Sequence, residues 1–138
     1  MIDYKKNNSV LVLDYGSQVA KLLVDSARAS SVYSEVVPFD ISIEEIKRRR
    51  PVGLIISGGP NSVYEKGAPT LNKEIFNLGI PVFGICYGHQ LIAHLLGGKV
   101  SQGKKGEYGY RELATVKTKK TPLEGFNKKI QVWMSHRD

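Results

Sequence analysis

The one cysteine of the chain, Cys86, stands in Gly84-Ile85-Cys86-Tyr87-Gly88, between an apolar run and a stretch of helical periodicity. A glycine two residues before and two residues after a nucleophile is typical of a nucleophile elbow, in which a sharp strand-to-helix turn presents a reactive side chain. The glycines remove the side-chain carbons that would collide in the turn. The positive end of the following helix favours thiolate over thiol. The pattern predicts a nucleophile; the alternative is an inert core cysteine between two ordinary loop glycines.

A second glycine-rich segment, Ser57-Gly58-Gly59-Pro60, follows the apolar run at residues 54–56. Glycine lets a backbone amide face a pocket unobstructed, so the Gly59 amide can serve as a hydrogen-bond donor to an oxyanion. The amide of Tyr87, directly after the cysteine, is the expected second donor. Two amides facing one thiolate is the arrangement that acyl transfer requires. The alternative is a plain strand-exit turn, because Gly-Gly-Pro is common in turns.

Short apolar runs alternate with helical patterns along most of the chain, which is typical of a parallel α/β sheet. Strands are predicted at residues 10–13, 33–37, 54–56 and 80–85, helices at 17–30, 42–49, 70–78 and 88–96, and antiparallel strands at 110–117 and 129–134. Ser17 and Ser42 are expected helix caps. On the last helix, Leu91, Ile92, Leu95 and Leu96 are expected to face the sheet. Both glycine segments follow strands, so they are expected at the carboxyl edge of the sheet, where ligands bind in such folds.

Composition narrows the classes of function. No apolar run approaches the roughly 20 residues that cross a bilayer, and we expect no membrane association. The polar start lacks the apolar stretch of a signal peptide, so we expect a cytoplasmic protein. The net charge of +7 comes from short scattered groups without interleaved aromatics, which argues against a nucleic-acid site. The histidines, His89, His94 and His136, do not stand at metal-ligand spacing, and no metal site is predicted.

Four segments together carry a family resemblance. They are Asp14-Tyr15-Gly16-Ser17-Gln18, the loop from Ser57 to Pro60 with Ser62-Val63-Tyr64, Gly84 to Gln90, and Trp133-Met134-Ser135-His136 with Asp138. The chain resembles the amino-terminal glutaminase domain of the GMP synthase family, a branch of the class I glutamine amidotransferases. The resemblance implies a flavodoxin-like open, mostly parallel sheet with helices on both faces, and a small antiparallel sheet beside it. Residues 1–138 are then one glutaminase domain, incomplete at its carboxyl end.

The resemblance also implies a reaction, the hydrolysis of glutamine to glutamate and ammonia. Cys86 would form a γ-glutamyl thioester, with the Gly59 and Tyr87 amides on the oxyanion. The amino-acid end of the substrate would meet Gln90, Ser135, His136 and Asp138. Ammonia would pass to an ATP-pyrophosphatase domain or subunit that converts XMP to GMP. No cofactor is expected in this chain, whereas ATP and Mg²⁺ are expected in that synthetase part.

One departure from the family concerns the catalytic base. The family carries a downstream His-Pro-Glu motif, whose histidine is the base, and the 138 residues do not contain it. His89 and His94 are expected on the elbow helix, as surface or packing residues, and His136 in a loop after a strand. We therefore expect these residues alone to be a very poor glutaminase, since a positioned base is worth about 10²–10⁴-fold. We also expect an exposed strand edge, and with it weakened stability or pairing with another chain, for example as a homo-oligomer.

Two other interpretations remain open. A degenerate module of the same fold would bind glutamine or a synthetase partner without chemistry. A different cysteine hydrolase would use one of the three histidines as its base. An electrophilic glutamine analogue separates the first alternative from a glutaminase, because only a glutaminase site directs the analogue to Cys86.

Overall fold

The computed structural model describes residues 8–103, 106–114, 119–121, 124–126 and 129–136. The chain divides into two compact units, Met1–Val100 and Ser101–Asp138. Each unit is described by itself.

A four-stranded parallel sheet forms the centre of the first unit. Its strands are β1 (Val10–Asp14), β2 (Ser34–Pro38), β3 (Gly53–Ile56) and β4 (Val82–Gly84), in the order β2-β1-β3-β4. The apolar runs therefore form strands as predicted, although β4 is shorter than residues 80–85. The prediction of a flavodoxin-like open sheet is confirmed, since the first strand lies between the second and the third.

Helices cover both faces of this sheet, as predicted. They are α1 (Val19–Ala29), α2 (Ile43–Arg49), a 3₁₀ helix (Lys73–Asn77) and α3 (Tyr87–Leu95). Alternate residues of the strands point to opposite faces. Val12 packs with α1 on one face, whereas Leu11 and Leu13 belong to a larger core with α2, the 3₁₀ helix and α3 on the other. Within the described residues, no helix combines the length and apolar character needed to cross a membrane.

One of the two predicted serine caps is present in the structure. The Ser42 hydroxyl accepts a hydrogen bond from the Glu45 amide at 3.1 Å, as predicted for the start of α2. The Glu45 carboxylate does not complete a capping box; it accepts hydrogen bonds from Arg48 and Arg49 instead. The prediction that Ser17 caps α1 was wrong: the helix begins at Val19, its N-cap is Gln18, and no side chain caps it. The Ser17 hydroxyl accepts a hydrogen bond from the Val19 amide at 3.3 Å, one residue before the helix cap.

Two other expectations about helices were wrong. The helix predicted at residues 70–78 is the short 3₁₀ helix Lys73–Asn77, in which Ile75 is the buried residue. One buried side chain anchors a single turn, which suits 3₁₀ geometry. Leu96 does not face the sheet: it is the C-cap of α3 and is 64% exposed, whereas Leu91 is 3% exposed. The α3 helix ends before the periodicity of its sequence does.

The second unit contains an antiparallel pair, β5 (Glu107–Ala114) and β6 (Lys129–His136). The small antiparallel sheet is therefore confirmed, with β5 earlier and β6 longer than predicted. Residues 115–117, predicted as the end of the first strand, lie outside the described residues. Tyr110 and Trp133 are direct cross-strand partners, with ring centroids 4.9 Å apart in a T-shaped arrangement. Such aromatic pairs stabilise a two-stranded sheet.

Candidate active site

Cys86 lies at the junction of β4 and α3. Its backbone has φ 52° and ψ −118°, a conformation that costs a residue with a side chain of order 1–3 kcal/mol. The side chain is exposed and the thiol is free. An exposed thiol on a strained strand-to-helix turn is the geometry of a nucleophile elbow, so the predicted turn is confirmed. That Cys86 acts as a nucleophile stays a prediction at this point.

The glycines on either side of the elbow have no room for a side chain. A Cβ atom at Gly84 would lie 2.6 Å from the carbonyl carbon of Gly88 and from the amide nitrogen of His89. A Cβ atom at Gly88 would overlap the carbonyl oxygen of Ile56, in β3. All three contacts involve backbone atoms, which cannot move aside without disturbing α3 or the sheet. The turn therefore depends on glycine at both positions.

The glycine loop after β3 lies against the elbow. A Cβ atom at Gly58 would lie 3.3 Å from the Cβ atom and 3.9 Å from the sulfur of Cys86. At Gly59 a Cβ atom would lie 2.5 Å from the carbonyl oxygen of Tyr15, so this position also requires glycine. Neither the Gly59 amide nor the Tyr87 amide donates a hydrogen bond to another residue within the described part of the chain. The loop, the elbow and two unused amide donors thus share one region.

A buried pair of tyrosines supports this region, although no sequence motif indicates a role for their side chains. Tyr15 and Tyr87 are each 2% exposed, and their ring centroids lie 5.6 Å apart. The Tyr15 hydroxyl donates to the Thr70 carbonyl at 3.1 Å, and the Tyr87 hydroxyl donates to the Pro69 carbonyl. The Asp-Tyr-Gly-Ser motif was a signal for Tyr15, but nothing local indicates that its ring packs below the elbow.

Burial makes ionisation of both tyrosines less favourable than in water. Burial raises the pKa of Tyr15, and the nearby Tyr87 raises it further. Burial also raises the pKa of Tyr87, with a smaller contribution from the negative charge of Glu65. Neutral tyrosine hydroxyls remain hydrogen-bond donors at physiological pH. The two hydroxyls use these hydrogen bonds to hold the backbone at Pro69 and Thr70. The Tyr87 side chain therefore anchors the residue that directly follows Cys86 in the elbow.

The residues predicted to bind the amino-acid end of a substrate fall in both units. Gln90 lies on α3 and is half-buried. Its backbone N–H donates a hydrogen bond to the Cys86 carbonyl at 3.1 Å. Ser135 and His136 are the last residues of β6, paired in register with Tyr108 and Glu107. His136 was expected in a loop, and this expectation was wrong because the antiparallel pairing continues through it. Asp138 lies outside the described residues.

The two histidines of α3 are exposed. The ring of His94 packs edge-on against Tyr64, with centroids 5.4 Å apart. The Tyr64 hydroxyl in turn donates to the Val100 carbonyl at 2.5 Å. His94 thus packs along the flank of the helix, as expected. Within the described ranges, no cluster of three His, Cys, Asp or Glu side chains has the geometry of a metal site.

The structure places a cysteine elbow at the carboxyl edge of an open parallel sheet, which makes this chain an α/β protein of the flavodoxin-like class. The sequence profile of the class-I glutamine amidotransferases matches residues 11–138. The chain belongs to this family of glutamine amidotransferases.

Similar proteins refine the comparison. The chain is 50% identical over 131 residues to a GMP synthase (glutamine-hydrolysing) of Streptomyces coelicolor, covering 95% of this chain and 25% of the relative. It is 53% identical over 135 residues to the same enzyme of Staphylococcus epidermidis, covering 97% of this chain and 26% of the relative. The chain therefore spans about a quarter of the length of these curated relatives.

One solved structure is also similar to this chain. A GMP synthase component from Thermoplasma acidophilum, known from a crystal structure, superposes with a TM-score of 0.77 at 26% identity. The match covers 95% of this chain and 65% of that protein. The similarity supports the flavodoxin-like fold.

Proposed function

We propose that this chain is the glutamine-hydrolysing part of a GMP synthase. The observation that carries the proposal is the elbow itself: a free, exposed Cys86 at φ 52°, beside a glycine loop and the unused amides of Gly59 and Tyr87. The relatives named GMP synthase supply the substrate class.

The proposed reaction is an acyl transfer. The Cys86 thiolate attacks the side-chain amide carbon of glutamine, a C–S bond forms, and the C=O electron pair moves to oxygen. The Gly59 and Tyr87 amides stabilise this oxyanion, a contribution worth about 10²–10³-fold per donor. Collapse breaks the C–N bond, and the nitrogen leaves as ammonia after taking up a proton. Water then hydrolyses the γ-glutamyl thioester to glutamate and regenerates the thiol.

The remaining roles follow from the resemblance to the family. Gln90, Ser135, His136 and Asp138 are proposed to bind the amino-acid end of glutamine. Ammonia is proposed to reach an ATP-pyrophosphatase domain or subunit, which uses ATP and Mg²⁺ to convert XMP to GMP. A cytoplasmic location is proposed because a free thiol nucleophile needs a reducing compartment.

The 138 residues by themselves are proposed to turn over glutamine slowly. His94 packs on Tyr64, and His89 is exposed on the same helix, three residues past the nucleophile. The expected base belongs to the His-Pro-Glu motif, which these residues do not contain. Without a positioned base, the rate is expected to fall by about 10²–10⁴-fold.

Covalent labelling tests the proposal without turnover. A diazo-ketone analogue of glutamine alkylates a directed thiol: sulfur becomes bonded to the former diazo carbon, that carbon gains the thiol proton, and N₂ leaves. We expect one adduct on Cys86 by intact-mass and peptide mass spectrometry, slowed by excess glutamine but not by excess asparagine. The Cys86→Ser variant is the control and should stay unmodified. A wild-type chain that reacts with iodoacetamide but not with the diazo-ketone contradicts the proposal and favours a non-catalytic module.

A further inference from the structure

Ser57 is a polar residue with no exposed surface, at the start of the glycine loop. Its hydroxyl accepts a hydrogen bond from the Tyr15 amide at 3.0 Å and donates one to the Gly58 carbonyl at 3.1 Å. The Ser57 amide donates to the Leu13 carbonyl at 3.1 Å, so the main chain is anchored to β1 independently of the side chain. The hydroxyl therefore has a separate task, which is to join the end of β1 to the peptide group after Gly58.

That peptide group carries the proposed oxyanion donor. The Gly58 carbonyl and the Gly59 N–H belong to one peptide unit, which is planar and trans. Its C=O and N–H bonds point in opposite directions, so a hydrogen bond that fixes the carbonyl also fixes the direction of the N–H. A hydrogen bond to the carbonyl further polarises the unit and strengthens the N–H as a donor.

The surroundings leave this peptide little freedom. The Cβ position of Gly59 lies 2.5 Å from the Tyr15 carbonyl oxygen, and that of Gly58 lies 3.9 Å from the Cys86 sulfur. The peptide unit is thus held between β1 and the nucleophile. Without the Ser57 hydroxyl, the Tyr15 amide and the Gly58 carbonyl would be left without this partner, and a rotated peptide would be the simplest way to satisfy them.

We infer that Ser57 is a positioning residue for the oxyanion step: its hydroxyl sets the direction of the Gly59 N–H. The inference rests on the proposed function. It differs from a general structural role, because loss of the hydroxyl should impair only those reactions of Cys86 that place charge on a substrate oxygen.

Two electrophiles separate these roles. In the labelling reaction the ketone oxygen of the diazo-ketone takes the place of the amide oxygen. Sulfur first adds to the ketone carbon, and charge develops on that oxygen. As the diazo carbon takes up the thiol proton and N₂ leaves, sulfur moves to that carbon and the ketone C=O re-forms. Iodoacetamide reacts by displacement of iodide at a saturated carbon and needs no oxyanion donor. The ratio of the two second-order labelling rates therefore reports the oxyanion donors, whereas iodoacetamide alone reports access to the thiol.

The test compares Ser57→Ala with Ser42→Ala, a matched control that also removes a serine hydroxyl bonded to a backbone amide but lies at the start of α2. We expect Ser57→Ala to lower the ratio about tenfold, less than the 10²–10³-fold loss of a whole donor. Ser42→Ala should keep the wild-type ratio, and both variants should react with iodoacetamide within about twofold of wild type. Equal ratios in the two variants would overturn the inference while leaving the proposed function intact.

Two further outcomes are decisive. If Ser57→Ala does not fold, Ser57→Thr retains the hydroxyl: a wild-type ratio in the folded threonine variant supports the inference, and a tenfold loss overturns it. If the wild-type chain is not labelled by the diazo-ketone, the proposed function fails, and the inference fails with it.

Discussion

The strain at Cys86 can be measured directly by replacing the residue with glycine and with alanine. Both replacements remove the thiol, so they differ from one another by a single methyl group. Alanine keeps the unfavourable conformation at φ 52° and ψ −118°, whereas glycine adopts it freely. The comparison therefore isolates the cost of holding a side chain at the elbow.

The expected difference in the free energy of unfolding between Cys86→Gly and Cys86→Ala combines two opposing effects. Relief of a strained backbone gains about 1–3 kcal/mol. The extra freedom of glycine in the unfolded chain costs about 0.5–1 kcal/mol. Cys86→Gly should therefore be more stable than Cys86→Ala by about 1 kcal/mol, which corresponds to an increase of about 4 °C in Tm for a domain of this size.

Urea unfolding followed by far-ultraviolet circular dichroism measures the difference. The control is Ala93→Gly, an alanine-to-glycine change inside α3, where the backbone is ordinary helix. That change should destabilise the protein by about 1 kcal/mol, the opposite sign. If Cys86→Gly is less stable than Cys86→Ala by a similar amount, the elbow carries no strain and our reasoning about it is refuted.

Two other predictions concern packing and charge. Leu91→Ala should cost about 2–5 kcal/mol because the side chain is buried, whereas Leu96→Ala should stay within about 0.5 kcal/mol; equal losses in thermal unfolding would contradict the assigned end of α3. Hydrogen bonds from Arg48 and then Arg49 lower the pKa of Glu45 from its ordinary 4.5 to about 2. A lowered folded-state pKa stabilises the protein above pH 4.5, and this stabilisation is lost as the pH falls towards 2. The Tm difference between wild type and Glu45→Gln should therefore shrink over that range, and a constant difference would speak against the ion pairs.

The parallel sheet and the elbow could be predicted because short-range features of the sequence encode them. Four short apolar runs separated by helical patterns admit few arrangements other than a parallel sheet. The elbow was predictable because Gly84 and Gly88 are required by contacts inside the same turn or with the adjacent strand. The backbone conformation of Cys86 follows from that local constraint.

The ends of the elements could not be predicted, because tertiary contacts decide them. Residues 70–78 have enough apolar side chains for a helix, yet Ile75 is the buried side chain of the 3₁₀ turn that forms. The periodicity of α3 continues through Leu96, but the residue caps the helix and faces solvent. At β6 the strand continues to His136 because the backbone of β5 supplies partners that the sequence of β6 does not reveal.

The supporting side chains were missed for a different reason. The hydrogen bond from the Tyr15 amide to the Ser57 hydroxyl joins residues that are 42 positions apart. No local pattern distinguishes a serine with such a partner from a serine in an ordinary turn. The sequence therefore identifies Ser57 only as the first residue of the glycine loop, although its side chain is wholly buried.

The end of β3 lies between Cys86 and the proposed oxyanion donor at Gly59, and it contacts the segments that carry both. The Ile56 carbonyl accepts a hydrogen bond from the Ile85 amide at 3.0 Å and lies where a side chain at Gly88 would have to be. The next residue, Ser57, fixes the peptide that carries the Gly59 amide. The last residue of β3 and the residue that follows it thus hold the elbow on one side and the glycine loop on the other. Because both are anchored to the same strand, movement of the sheet as a whole shifts them together and preserves the distance on which acyl transfer depends.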